Sequence, residues 1–253
     1  MLRGERPRDQ RARAREKVAA VDFAHFCRVG GEYRLCDRIG LPSSRVSDDR
    51  TKRERDLATY YDQEAPDRSG RDIDPGRVAR RTEFIELLRT ELRTSVVEIG
   101  TGPGRDASAF GAAGFAVTGV DLSAEHVRLA RAAGADVHLA SVLDLPFDDG
   151  SFAAGWTMST LLHVPNADFG TAMAEICRVL EPGAPLAIGL WGGVDQEGPN
   201  PRDTIHPPRF FSTRSDERVR RMLGPFGLIE RFETWSDSNV AGWHYQWELL
   251  RTS

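Results

Sequence analysis

At 253 residues and 40% apolar content, the chain is long enough to bury a sizeable core. No apolar window approaches the ~18 residues that cross a bilayer, so no membrane span is expected. The formal net charge of -4 is not the basic footprint of a nucleic-acid binder, which leaves a small metabolite as the more natural partner.

The three cysteines, Cys27, Cys36 and Cys177, are scattered. With the six histidines they match no zinc-ligand spacing and no disulfide framework. No metal is expected, and a reduced, cytoplasmic setting is. The N-terminus shows no apolar segment of the secretory kind. Residues 1–17 hold six arginines, one lysine and three acids, the pattern of a solvated arm. Residues 18–45 add only short apolar patches, Val18–Phe26 and Leu35–Leu41. Residues 1–45 are therefore expected to be a disordered or loosely attached extension, and residues 46–77 a cover segment.

Regular patterning begins near residue 75. Val78, Ile85, Leu88 and Leu92 recur at helical spacing. Ser95–Gly100 reads as a short buried strand, Arg105–Ala113 as a helix stopped by Gly114, and Phe115–Val120 as a second strand. Ser123 is a suitable N-cap for a helix running to Gly134. Val137–Ala140 is a third strand, Pro146 and Asp148–Gly150 a turn, and Phe152–Ser159 a fourth strand. Asp168 is the expected cap of a helix that presents Phe169, Met173, Ile176 and Leu180. Pro185–Trp191 is a fifth strand, followed by a Gly/Pro/Asn-rich loop from Gly192 to Pro208 and a short helix at Asp216–Leu223. Leu228–Trp235 and Trp243–Leu250 are two strands with too few residues between them for a crossover, so they should form an antiparallel hairpin. Alternating strands and helices elsewhere imply right-handed crossovers and a parallel sheet.

The most informative stretch is Val96-Val97-Glu98-Ile99-Gly100-Thr101-Gly102-Pro103-Gly104, which leaves a strand and enters a helix. Glycines there permit positive φ and let a ligand approach the backbone at a helix N-terminus. Asp121 ends the next strand, where a carboxylate can accept from both hydroxyls of a ribose. A dinucleotide fingerprint would need glycine at position 105, which is Arg105. Glu98 sits where dinucleotide folds carry an apolar residue, and it suits an ammonium group. One ribose, one amino-acid head and no pyrophosphate fit both facts.

The segments Glu98–Gly104, Val117–Ser123, Leu145–Phe152 and Arg178–Gly183, in this order, resemble the class I S-adenosylmethionine-dependent methyltransferases. The likeness extends over about residues 78–250 and is strongest to the small-molecule branch that includes the ubiquinone/menaquinone-type enzymes. It implies a Rossmann-like, doubly wound seven-stranded α/β sheet over 78–253, with order 3-2-1-4-5-7-6 and strand 7 antiparallel. It implies S-adenosyl-L-methionine as cofactor and S-adenosyl-L-homocysteine as product. Gly100, Gly102 and Gly104, with Glu98 and Thr101, would line the methionine portion, Asp121 would hold the ribose, and Leu122 would pack on the adenine. Ser141 and Val142 would meet the adenine edge, and Thr157 completes the cofactor set. Many relatives carry aspartate at the position of Ser141, so a weaker serine contact or a substitute at Asp144 is expected here.

Methyl transfer needs a base only where the acceptor is a poor nucleophile. His163 follows the fourth strand and is the candidate base, with a purely structural role equally open. Tyr60 and Tyr61 resemble the aromatic N-terminal cover of this branch. Trp191 ends the fifth strand beside the expected acceptor pocket, and the 192–208 loop is long enough for a lid, with His206 inside it. Trp235, Trp243 and Trp247 are better placed to pack the hairpin. The reading is methyl transfer to O, N or C of a small molecule. The alternatives are a non-catalytic cofactor-binding protein on the same fold and, less favoured, an NAD-type oxidoreductase. A base-flipping nucleic-acid enzyme lacks its Asn-Pro-Pro-aromatic segment here. Oligomeric state is not legible.

Overall fold

The computed structural model describes the backbone of residues 26–29, 32–35, 43–235 and 240–253. The chain divides into two compact units, Met1–Thr51 and Lys52–Ser253. In the first, β1 (Phe26–Val29) and β2 (Glu32–Leu35) pair antiparallel, with Phe26 opposite Leu35. Of residues 1–45, expected to form a disordered or loosely attached extension, this hairpin and residues 43–45 are described, and the others lie outside the described residues.

Helix α1 (Ser43–Ser69) is followed by α2 (Pro75–Thr90), whose Pro75 stands at the first turn and whose N-cap Asp74 accepts from Arg77 N. Strand β3 (Ser95–Ile99), α3 (Arg105–Ala112), β4 (Ala116–Asp121), α4 (Ala124–Ala132) and β5 (Asp136–Leu139) form two βαβ repeats with parallel strands. Ser123 caps α4 by accepting from His126 N. Strand β6 (Gly155–Met158) leads through a short 3-10 turn, Leu161–His163, to α5 (Asn166–Val179) and β7 (Pro185–Gly192). After β8 (Gln196–Pro199), β9 (Phe210–Thr213) and α6 (Asp216–Leu223), the chain closes with β10 (Gly227–Trp235) and β11 (His244–Thr252).

The sheet order is β10-β11-β7-β6-β3-β4-β5. Strand β11 pairs antiparallel with both β7 and β10, and every other pair is parallel. This is the expected 3-2-1-4-5-7-6 order with strand 7 reversed. The two-residue period of the strands sorts their side chains onto two cores. Val97 and Ile99, with Leu186, Ile188 and Leu250, pack under Phe169, Met173 and Ile176 of α5. Val96, with Trp156, Ala187, Trp247 and Leu249, packs under Phe84 and Leu88 of α2 and Phe110 of α3.

Four local expectations are corrected. Leu92 lies beyond α2, has φ 55° and is 86% exposed, so Phe84 takes the buried position. Phe152 forms only an isolated bridge to Leu180, and the strand proper starts at Gly155, where register with Val97 begins. Helix α5 starts at Asn166 because Pro165, with ψ 153°, is its N-cap; Asp168 sits inside the first turn, where its N–H donates to Pro165 O. The 192–208 loop is not free: β8 lies within it and pairs antiparallel with β9. Its turn is tied by Asp203, which accepts from Arg209 N, Nε and Nη2. Polar Gln-Glu-Gly-Pro has little strand propensity of its own, and its pairing is supplied by the partner strand.

Candidate active site

The glycine loop follows β3 at the carboxyl edge of the sheet. It is anchored by Gly100 N and Thr101 N, which donate to Val120 O at 2.7 and 3.1 Å. Its three glycines serve different ends. Gly100 has φ +77°, and a Cβ there would stand 1.9 Å from Thr160 Oγ1, which itself donates to Ile99 O. Gly104 has φ +86°, caps α3 and abuts Ala130. Both are required by the protein's own packing. Gly102 also has positive φ, but a Cβ there would meet nothing within 4 Å, so this face of the loop is open to a ligand.

Asp121 ends β4 and is 9% exposed. Its Oδ2 accepts from Gly102 N at 2.7 Å and its Oδ1 from Ser123 N at 2.9 Å, so the carboxylate ties the loop to the next turn. Leu122 beside it is half-buried. Ser141 donates to Glu54 Oε1 at 2.5 Å and accepts from Leu143 N, so its hydroxyl proton is engaged with a residue of α1. Val142 is half-buried against the core, and Asp144 is exposed.

Two buried polar groups next to the loop lack complete partners. Thr157, on β6 opposite Ile99, is 1% exposed and its Oγ1 has no hydrogen bond. Glu98 is 1% exposed and its Oε2 is equally unpartnered. Burial, reinforced by the neighbouring Asp106 carboxylate, pushes the Glu98 carboxyl well above the usual carboxylate range, against the pull of Arg77. Asp106 goes the other way. Burial would raise it, but Arg77, Trp156 Nε1 and Arg81 all contact its carboxylate and hold it below its ordinary value.

Helix α1 crosses the same edge. Asp62 Oδ1 accepts from Ser123 Oγ at 2.6 Å and Glu125 N at 3.0 Å, and Arg53 reaches Asp168. The Tyr61 hydroxyl lies 2.7 Å from His163 Nε2, while His163 Nδ1 lies 3.0 Å from Phe210 O. Tyr60 is buried, with the Arg209 guanidinium 4.3 Å from its ring centroid. Phe211 meets both the Arg209 guanidinium and the His163 ring. The structure therefore brings Tyr60, Tyr61 and His163 together. Trp191 is half-buried and packs edge-on against Tyr245. His206 is exposed, and its backbone carbonyl, not its ring, accepts from Gln63. Trp247 is buried and Trp235 Nε1 donates to Asp74, whereas Trp243 lies against Phe211.

Sequence reasoning passed over Glu54, Asp62, Arg209 and Arg214. Arg214 is 1% exposed and donates to Asn166 Oδ1 and to the carbonyls of Leu161, Val164 and Ser212. It thereby clasps the turn that carries His163. No spacing rule marks these residues, since each acts on a distant segment. Among the described residues, no group of three or more His, Cys, Asp or Glu is arranged to hold a metal ion, and no helix is long and apolar enough to cross a membrane.

Residues 97–188 match the family model described as methyltransferase domain. An O-methyltransferase of Aspergillus nomiae is 33% identical over 129 residues, 47% of this chain and 56% of that protein. An O-methyltransferase of Aspergillus sclerotiorum is 33% identical over 145 residues, 53% of this chain and 54% of that protein. The chain thus spans about half the length of these curated relatives. The solved structure of Burkholderia thailandensis 1,6-didemethyltoxoflavin-N1-methyltransferase, with 1,6-didemethyltoxoflavin and S-adenosylhomocysteine bound, has a TM-score of 0.60 at 19% identity, over 91% of this chain and 100% of that one. That likeness is one of fold. Residues 97–188 thus match a methyltransferase domain, and they lie in a seven-stranded sheet whose seventh strand is reversed.

Proposed function

We propose that the protein transfers a methyl group from S-adenosylmethionine to a hydroxyl oxygen of a small-molecule acceptor, a phenol or an enol. The observation that carries the choice of oxygen is the Tyr61–His163–Phe210 chain, because a neutral hydroxyl is a poor nucleophile and needs a base. The curated relatives named above are O-methyltransferases, which supports the same reading.

The residues present fit the cofactor. Gly102 leaves room for it, Asp121 offers a carboxylate at the ribose position, and the unpartnered oxygens of Glu98 and Thr157 accept from donors that a ligand brings. When bound, S-adenosylmethionine supplies a methyl group already activated by its sulfonium. The protein's own work is then positioning and proton transfer. Because a carbonyl cannot donate, His163 Nδ1 carries the proton toward Phe210, and Nε2 is left as the acceptor. Nε2 receives the proton lost by the acceptor hydroxyl, directly or through Tyr61. Tyr60, Tyr61 and Trp191 are assigned to the acceptor side, with the β8–β9 hairpin, clasped by Asp203 and Arg209, as its cover. His206 is assigned to the rim, and residues 46–77 to the cover over the cofactor. We place the activity in the cytoplasm and expect no nucleic-acid partner, in keeping with the mildly acidic charge.

Two measurements test this. Calorimetry with S-adenosylhomocysteine and with NAD should show binding of the first alone. Incubation with S-adenosylmethionine and a panel of phenols, enols, amines and carbon acids, read by mass spectrometry, should add one methyl group to a hydroxyl. Absence of any binding would end the cofactor assignment, and methylation confined to amines or carbon would end the choice of oxygen.

A further inference from the structure

His126 lies in the first turn of α4 and is 2% exposed, yet neither of its ring nitrogens has a hydrogen-bond partner. Buried polar groups are seldom left this way unless a ligand or water answers them. Its Nδ1 stands 3.5 Å from Asp121 Oδ1, and its ring centroid is 5.5 Å from that of Tyr61. The imidazole thus sits between the carboxylate assigned to the ribose and the tyrosine assigned to the acceptor side. The titratable groups around it are Asp121 on β4, Tyr61 and Asp62 on α1, Glu125 on its own helix and, behind Tyr61, His163.

A ribose diol presents hydroxyl protons and also oxygen lone pairs. The Asp121 carboxylate only accepts, and both its oxygens already take a backbone N–H. A neutral imidazole donates from one nitrogen and accepts at the other. We propose that His126 is a second ribose contact, its N–H donating to a hydroxyl oxygen whose proton goes to Asp121. The proposal rests on the cofactor reading above and adds a residue that reading does not require.

The test compares two ligands, S-adenosylhomocysteine and its analogue lacking both ribose hydroxyls, against the wild-type protein, His126→Phe and His126→Gln by calorimetry. His126→Phe should weaken S-adenosylhomocysteine about five- to tenfold, the size of one hydrogen bond. It should leave the analogue's affinity unchanged, and His126→Gln, which keeps an N–H, should recover most of the loss. Equal affinities for wild type and His126→Phe, or equal losses for both ligands, would overturn the proposal, the second showing a role in packing alone. Thermal melts establish that each variant is folded, and His126→Leu, which likewise lacks an N–H, gives the same comparison if the phenylalanine variant is not. A wild-type protein that fails to bind S-adenosylhomocysteine overturns the cofactor reading itself, an outcome distinct from wild-type binding with indifferent variants.

Discussion

The Tyr61 hydroxyl and the His163 Nε2 stand 2.7 Å apart although 102 positions separate them in the chain. The pair joins helix α1 to the turn after β6, and Phe210 O on β9 fixes the tautomer from the other side. Three segments remote in sequence thus converge on one imidazole.

If the two side chains act as a unit, their losses are not additive. Tyr61→Phe and His163→Gln should each slow methyl transfer to a phenolic acceptor by roughly 100-fold. The double variant should fall little further than the worse single one. S-adenosylhomocysteine affinity, measured in parallel, should be retained. Multiplying losses in the double variant would show that the two residues work separately.

The glycines should separate folding from binding. Gly100→Ala forces a Cβ into Thr160 at positive φ, and should cost about 2–3 kcal/mol or more in urea unfolding. Gly102→Ala meets no atom within 4 Å, so its cost is confined to the backbone, about 1 kcal/mol. Its larger effect should appear in calorimetry as weakened cofactor binding. Equal unfolding costs for both variants would contradict this division.

Glu98 should favour binding at the expense of stability. Burial and the Asp106 charge hold its carboxyl well above the usual range, so the folded state binds this proton more tightly than the unfolded chain, where the pKa is about 4.3. The stabilising contribution is therefore complete below that unfolded value and is lost as pH rises through the folded one. Asp106, held low, behaves oppositely: its contribution is present above about 3.9 and is lost as pH falls. Glu98→Gln should leave stability unchanged near pH 4 (about the unfolded pKa) and raise it at neutral pH, in denaturant series across that span. It should also weaken S-adenosylhomocysteine binding. A variant whose stability tracks wild type at every pH would remove this account.

Arg214 should not tolerate lysine. Its guanidinium spreads over one amide oxygen and three carbonyls, and stacks 4.5 Å from the Phe169 ring centroid. Burial pulls its pKa down to about 10. A lysine ammonium lacks the planar fork, so Arg214→Lys should cost about 3 kcal/mol or more and lower turnover by loosening the turn that holds His163. Unchanged urea midpoints would show that the clasp contributes nothing.

Much of the fold was written locally. The short buried run Ser95–Gly100, helical spacing around Phe169, Met173 and Ile176, and the Ser123 cap depend on neighbours a few residues away, and they are legible without coordinates. The same holds for the positive-φ turns at Gly100, Gly102 and Gly104, because glycine alone enters them without strain. The tertiary structure decided what no spacing encodes: that Ser141 meets Glu54, that Asp203 clasps Arg209, that Gln196–Pro199 finds a strand partner, and that Tyr61 reaches His163. Backbone conformation and burial period are properties of a short segment. A hydrogen bond between distant polar groups exists only once helices and hairpins have been packed to within 3 Å or so of each other, and that placement is set by the whole core.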